Sequence, residues 1–341
     1  MFFRRLMAGL MVLGLLAALA TPSASGQDKD KDKNKDKDKG GGDKVTLKWK
    51  FEKDKVFYQK MVTKTVQTMK VMNNDVNQTQ SQTFFFSFKP IKIDEAANKA
   101  TIEQKIIGVQ MDIEIGGSKI NYDSTKDSTA NNPLGDFFKA LVDSTFTIEL
   151  DTKDLKVTKI DGRDAFIQKL VTANPQMKPL LDVILSQDAL KEMAEPTFAV
   201  VPNKEAAKGE KWSRKTKLDM GPIGKYENEY DFTFEGVEGQ GDKASAKIKV
   251  DTKLNYKEPG EVAGQGGLPF KIKSAKLTSS NPVGQITFSP AKGRLEKSNV
   301  KIELKGDLSI EIGGQATSVN LSQTQESTIE TSDENPLPKK K

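Results

Sequence analysis

Two hydrophobic periods divide this chain of 341 residues. Val45, Leu47, Trp49 and Phe51 alternate with Thr46, Lys48 and Lys50, the two-residue period of a strand with one wet face. The same period predicts strands over residues 56–69, through the run from Phe84 to Phe88, and over 100–107 and 109–115. Turns are expected at Asn73-Asn74-Asp75, over residues 95–99 and at Gly116-Gly117. Beyond residue 196 the pattern resumes over 212–218, 226–234, 244–256, 268–277, 285–288, 294–304, 308–312 and 317–329, with Gly- or Pro-bearing turns between. The polar positions of these strands are Lys, Thr, Gln and Ser, which suits a sheet with one solvated side and argues against a membrane barrel with an apolar exterior.

Residues 132–196 break the pattern. Asn132 followed by Pro133 is a helix start, because a capping side chain precedes a residue whose missing N–H is harmless at the first helical position. Leu134, Phe137, Phe138, Leu141 and Val142 then fall on one stripe. A hairpin follows, with Phe146, Ile148 and Leu150 on one arm, Leu155 and Val157 on the other, and turn chemistry from Asp151 to Asp154. Asp164 is expected to cap a second helix carrying Phe166, Ile167, Leu170 and Val171, ending near Asn174-Pro175. A third carries Met177, Leu180, Leu181, Ile184 and Leu185, and Ser186 caps a fourth that ends near Glu195-Pro196.

These periods predict an α+β fold: a large curved antiparallel β-sheet, open and barrel-like, with a helical insert (132–196) packed on one face. Residues 45–335 form one domain. Apolar stripes on four short helices facing inward strand rows suggest an enclosed apolar ligand site. Its candidate lining is Phe84, Phe86 and Phe88, or Phe85 if the register differs by one, with Phe137, Phe138, Leu141, Leu180, Leu181 and Ile184 from the helices.

The ends add compartment and charge. Arg4-Arg5, an apolar run over residues 6–20 and the small residues Ser23 to Gly26 form a signal-peptide layout over 1–26, too short in its apolar part to span a bilayer. Residues 27–44, nearly alternating Asp and Lys and then Gly40-Gly41-Gly42, read as a disordered linker. Residues 336–341 form a basic tail. The formal net charge of +6 is carried by the leader, linker and tail, which leaves 45–338 neutral. A basic footprint for nucleic acid has to lie on a folded face, so no nucleic-acid partner is expected. The expected localisation is exported, periplasmic or extracellular and soluble, with no transmembrane segment after cleavage.

Chemistry is bounded by composition. With no histidine and no cysteine there is no Ser-His-Asp triad, no thiolate nucleophile, no disulfide and no ordinary zinc site. Asp151, Asp154, Asp161 and Asp164 are the candidate paired carboxylates, each placed where a turn or cap accounts for it. Ser186 near Lys191 is the nearest approach to a Ser-Lys pair. No enzyme, cofactor or metal is expected.

Ile113-Glu114-Ile115-Gly116-Gly117 recurs as Ile310-Glu311-Ile312-Gly313-Gly314, and Asn98-Lys99-Ala100 resembles Asp242-Lys243-Ala244, but the offsets disagree, so similar hairpins rather than a repeat are expected. Asn132-Pro133-Leu134 with Phe137, the run from Leu180 through Ser186-Gln187-Asp188-Ala189-Leu190, the segment Phe198 to Pro202 leading to Gly209-Glu210-Lys211-Trp212, and Gly284-Gln285-Ile286-Thr287-Phe288 before Gly293-Arg294-Leu295 resemble a family of exported bacterial proteins with no characterised function. The plan that this resemblance implies is similar at fold level to periplasmic lipoprotein carriers. The expected role is a non-enzymatic binding protein for an apolar ligand such as a lipid. The alternative is a structural or protein-interaction module of the cell envelope, with an envelope protein as partner.

Overall fold

The structure, a computed structural model, describes residues 44–71, 74–126, 133–260, 270–280 and 283–337. The signal-peptide reading and all but the last residue of the linker lie outside the described residues, as does Asn132.

In chain order the strands are β1 (Val45–Leu47), β2 (Phe57–Val71), β3 (Asn74–Asp94), β4 (Lys99–Ile115) and β5 (Ser118–Asp123), then β6 (Thr145–Asp151) and β7 (Lys156–Asp161) within the insert. After it come β8 (Lys204–Ala206), β9 (Lys211–Asp219), β10 (Lys225–Glu238), β11 (Ser245–Lys257), β12 (Lys271–Ser280), β13 (Val283–Ser289), β14 (Arg294–Ile312) and β15 (Gln315–Ser332). The helices are α1 (Pro133–Leu141), α2 (Arg163–Ala173), α3 (Lys178–Ile184) and α4 (Gln187–Ala194).

Thirteen of the described strands form one antiparallel sheet in the order β7-β6-β4-β3-β2-β15-β14-β13-β11-β10-β9, with β5 added on β4 and β12 on β14. Among the described strands β1 pairs only with β8, in a separate two-stranded ribbon. The α+β class with a large curved, unclosed sheet is therefore the observed architecture. Two expected strand pairs are each one long strand: β4 runs through Gly108 with a bulge opposite Phe85 and Phe86, and β14 runs through Gly306. In β4 the alternation breaks at the bulge because one extra residue flips the face, whereas in β14 the register is unbroken and the sequence divides only because Gly306 leaves a gap in the inward apolar row. β5 escapes sequence reading because only Ile120 and Tyr122 mark its inward row.

The hairpin β6–β7 belongs to the main sheet, since β6 continues the ladder of β4 from Lys99 to Lys105. The insert is thus helices strung around a sheet edge. α4 touches β7 on one side and β9 on the other, so it stands between the two end strands of the sheet. Glu195, just after α4, accepts a hydrogen bond from the Val157 backbone N–H at 3.1 Å, which satisfies a donor on an edge strand. Ser186 caps α4 as expected, its Oγ accepting from Ala189 N at 3.2 Å. Asp164 does not cap α2. Gly162 holds the N-cap in left-handed geometry (φ 102°), where a Cβ would meet Thr145 O at 2.5 Å.

The two Ile-Glu-Ile-Gly-Gly segments close β4–β5 and β14–β15 with nearly identical left-handed glycine pairs, φ 54° and 82° against 59° and 84°. Shared two-residue hairpin chemistry accounts for the likeness.

Candidate functional site

The nine candidate residues fall in the core at the helical end of the sheet. Phe84, Phe86 and Phe88 share the inward row of β3, with Phe84 and Phe86 stacked at 5.9 Å. Phe88 stacks on Phe57 at 5.0 Å and meets the edge of Phe198. Trp49 completes the cluster, its Nε1 donating to Phe198 O at 2.6 Å. Phe85 points to the other face, beside Gly108 under Leu337. From the helices, Phe137, Phe138, Leu141, Leu180, Leu181 and Ile184 are all buried. Phe138 is fully covered and lies 5.8 Å from the Tyr122 ring of β5. All nine join one continuous hydrophobic core, and none borders either of the hollows described next.

One hollow, of about 40 Å³, lies at the opposite end of the concave face. Its walls are Met69, Val319, Leu321, Leu304, Leu308 and Ile310 from β2, β15 and β14, faced by Ile272 and Leu277 of β12 and by Ile223, Tyr226 and Tyr256. The polar side chains at its floor are Gln67 and Gln323. Tyr256 donates its hydroxyl to Ile223 O at 2.5 Å. Burial pushes the Tyr226 phenol up to about 12 and the Tyr256 phenol higher still, so both remain neutral in the physiological range. A space of about 220 Å³ on the outer face, among Lys60, Val62, Lys64, Glu326, Thr328 and Glu330, is a groove between charges; Lys297 pairs with Glu330 there at 2.8 Å.

The floor glutamines belong to a larger array. Across β3, β2 and β15 the inward residues stand in three rows: Gln82–Thr63–Ser327, Gln80–Thr65–Gln325 and Gln78–Gln67–Gln323. Met111, Ile113 and Ile115 of β4 flank them on one side, and Val300, Ile302 and Leu304 of β14 on the other. Every member except half-buried Gln323 is buried. Some bonds run inside the array: Gln78 Nε2 donates to Gln80 Oε1 at 3.3 Å, and the Thr63 and Ser327 hydroxyls lie 3.4 Å apart. Among the described residues, Thr65 Oγ1, Gln67 Oε1, Gln78 Oε1 and Gln82 Nε2 have no partner. The expectation that Thr, Gln and Ser mark the solvated side fails here. On β2 the Lys residues face out, but so does Val66, 56% exposed, while Thr63, Thr65 and Gln67 face in. The reversal is visible as Thr63-Lys64-Thr65-Val66-Gln67, a strand whose apolar residue lies opposite the row that is buried.

The carboxylates singled out by spacing have structural roles. Asp151 Oδ1 accepts from Lys153 N and Asp154 N, Asp161 pairs with Lys159 at 2.7 Å, and Asp164 pairs with Arg163 at 3.0 Å. Lys191 pairs with Asp188 rather than with Ser186. Among the described residues no three acidic side chains gather closely enough to hold a metal ion, and no helix is long and apolar enough to cross a membrane.

Among solved structures the chain is similar to a lipovitellin structure concerned with lipid–protein interactions, at 11% identity and a TM-score of 0.41 over 86% of this chain. It spans only 27% of that lipovitellin chain. It also overlaps DynF of the dynemicin biosynthesis pathway of Micromonospora chersina, at 9% identity, 91% and 95% coverage of this chain and of DynF, and a TM-score of 0.18. The Pseudomonas aeruginosa protein OccK5 gives 5% identity, 81% and 98% coverage and a TM-score of 0.24. Overlap at this level is too coarse to carry a role over. No curated protein matches the chain. A family model does match residues 97–293, from the turn after β3 to the turn before β14, and the chain belongs to that family, the family of unknown function DUF6263.

Proposed function

We propose that the protein is an exported, non-enzymatic binding protein for an apolar ligand such as a lipid, with the site at the hollow between β14–β15 and β10–β12. The supporting observation is that hollow itself: its walls are aliphatic and aromatic, and its polar groups sit on one floor. At about 40 Å³ it is far below the roughly 300–1,000 Å³ of ordinary ligand pockets. An acyl chain therefore requires one wall to yield. β12 is the wall suited to it, because among the described strands it pairs only with β14, and its Ala275 and Leu277 are half-buried. The helical end offers no such wall, since its apolar side chains are committed to the core.

The test is saturable uptake of a fluorescent long-chain acyl probe by the full chain. The expected result is uptake that Leu277→Trp, which fills the hollow from β12, reduces at least about tenfold while the fold is kept. No saturable uptake would leave the alternative, a protein-interaction module of the cell envelope. The observation favouring that alternative is the smallness of the hollow.

A further inference from the structure

We infer that the ligand of this hollow is an amphiphile with an uncharged, hydroxyl-bearing head group, seated on Gln67 and Gln78 with its chain between the aliphatic walls. The inference rests on the apolar-ligand reading and adds what the head group must be.

Among the described lining residues the walls from β2, β12, β14 and β15 are aliphatic or thioether side chains, and the polar side chains are the floor glutamines and the two tyrosines. The Tyr256 hydroxyl is already spent on Ile223 O. Gln67 is 2% exposed, lines the floor, and leaves its Oε1 without a partner. Its amide nitrogen touches only Met69 Sδ, at 2.8 Å. That contact sets the amide's orientation, because turning it over would put one acceptor, the amide oxygen, against another, the thioether sulfur; the spare atom is therefore the oxygen. Directly across the strand pair, Gln78 Oε1 is also unpartnered, and Thr65 Oγ1 is one inward position further along β2. Buried polar groups are nearly always hydrogen-bonded, and here Gln67 at the floor of the hollow, backed by its cross-strand neighbour Gln78 and by Thr65, leaves three unmet groups on adjacent residues, a built polar seat.

The atoms decide the class. Two spare amide oxygens and a hydroxyl accept hydrogen bonds, so the head group must bring donors. A carboxylate or phosphate brings none and would meet those oxygens with like charge. Nor does a cation compensate it: among the described residues no Lys or Arg lines the hollow. Arg214 is on the row Arg214–Tyr230–Thr252 of β9, β10 and β11, one inward position beyond Thr216 and Asn228, and is not among the lining residues. A cationic head group finds no carboxylate among the described lining residues either. Hydroxyls satisfy the seat without charge.

The experiment displaces a fluorescent acyl probe from the full chain with three competitors sharing an oleoyl chain: mono-oleoylglycerol, methyl oleate and oleate. Mono-oleoylglycerol should bind at least about tenfold tighter than oleate, with methyl oleate between. Gln67→Met, which keeps the shape, and Gln78→Leu should each remove about tenfold of the mono-oleoylglycerol affinity and leave methyl oleate unchanged. Circular dichroism identifies whichever variant is folded, and either one suffices. Equal displacement by all three, or a variant that weakens all three alike, overturns the head-group assignment while the acyl site stands. Displacement by none overturns both.

Discussion

The two ends of the concave face are built from the same strands, and they bury different things. At the helical end β3 turns Phe84, Phe86 and Phe88 inward, and Trp49, Phe57 and Phe198 close over them ring against ring. Further along the same strands, β3 turns in Gln78, Gln80 and Gln82, and β2 turns in Thr63, Thr65 and Gln67. A core made only for stability would continue the phenylalanines, because each buried amide must recover its hydration from a partner. Several of these have none among the described residues. The difference separates an end that holds the fold from an end that keeps unmet polar groups next to a space. Variants that act on one end and spare the other measure how far that separation goes.

The largest effect belongs to the filled end. Phe138 is fully buried on α1 against Tyr122 and Phe137. Phe138→Ala leaves a cavity in rigid surroundings, and the expected loss is about 3–5 kcal/mol in a denaturant melt. Acyl-probe uptake by the folded fraction should stay at the wild-type level, since Phe138 does not border the hollow. Loss of uptake in folded protein would show that the two ends are coupled.

Much of the filled end was legible in the sequence. Phe137, Phe138 and Leu141 fall at helical spacing, and the aromatic run of β3 alternates, so burial followed from period alone. Which of Phe84 and Phe85 faces in depended on register, and the pairing of Phe84 with Met61 and Val109 decides it. The hollow was not legible. Its walls come from Met69, Ile272, Leu304 and Tyr226, distant in sequence and joined only by strand order, and period reading assigns Gln67 to solvent because it is polar. Only the inverted order around Val66 hinted that polarity and burial had parted company on β2.

A smaller effect is expected at the wall of the hollow. Gly306 sits on β14 between Leu304 and Leu308 at φ 148°, and a Cβ there would run into Lys276 O on β12. Gly306→Ala must push β12 away or twist β14, at a loss of about 2 kcal/mol. The displaced strand is the wall proposed to yield, so the same variant should change probe uptake where Phe138→Ala does not. Unchanged uptake would argue that β12 is not the moving wall.

The smallest effect lies at the rim of the filled end and is read through pH. Asp333 accepts from Lys292 at 2.8 Å and from Arg294 at 2.6 Å, and the Arg294 guanidinium lies 5.9 Å from the centre of the Phe57 ring. The Lys292 and Arg294 hydrogen bonds hold the Asp333 carboxyl below its ordinary value against a smaller opposing effect of burial. A carboxyl depressed in the folded state favours folding above its unfolded value of about 3.9, and that contribution fades as pH falls through the folded value. Asp333 is 48% exposed, so solvent screening keeps the contribution below about 1 kcal/mol. Asp333→Asn should therefore be slightly less stable than wild type in urea melts at pH 7, with the gap narrowing as pH falls below the ordinary carboxylate value. At high salt the pH 7 gap should shrink as well. A gap that persisted unchanged in acid would assign Asp333 a packing role instead of a charged one, and would extend the filled end's dependence on shape out to its rim.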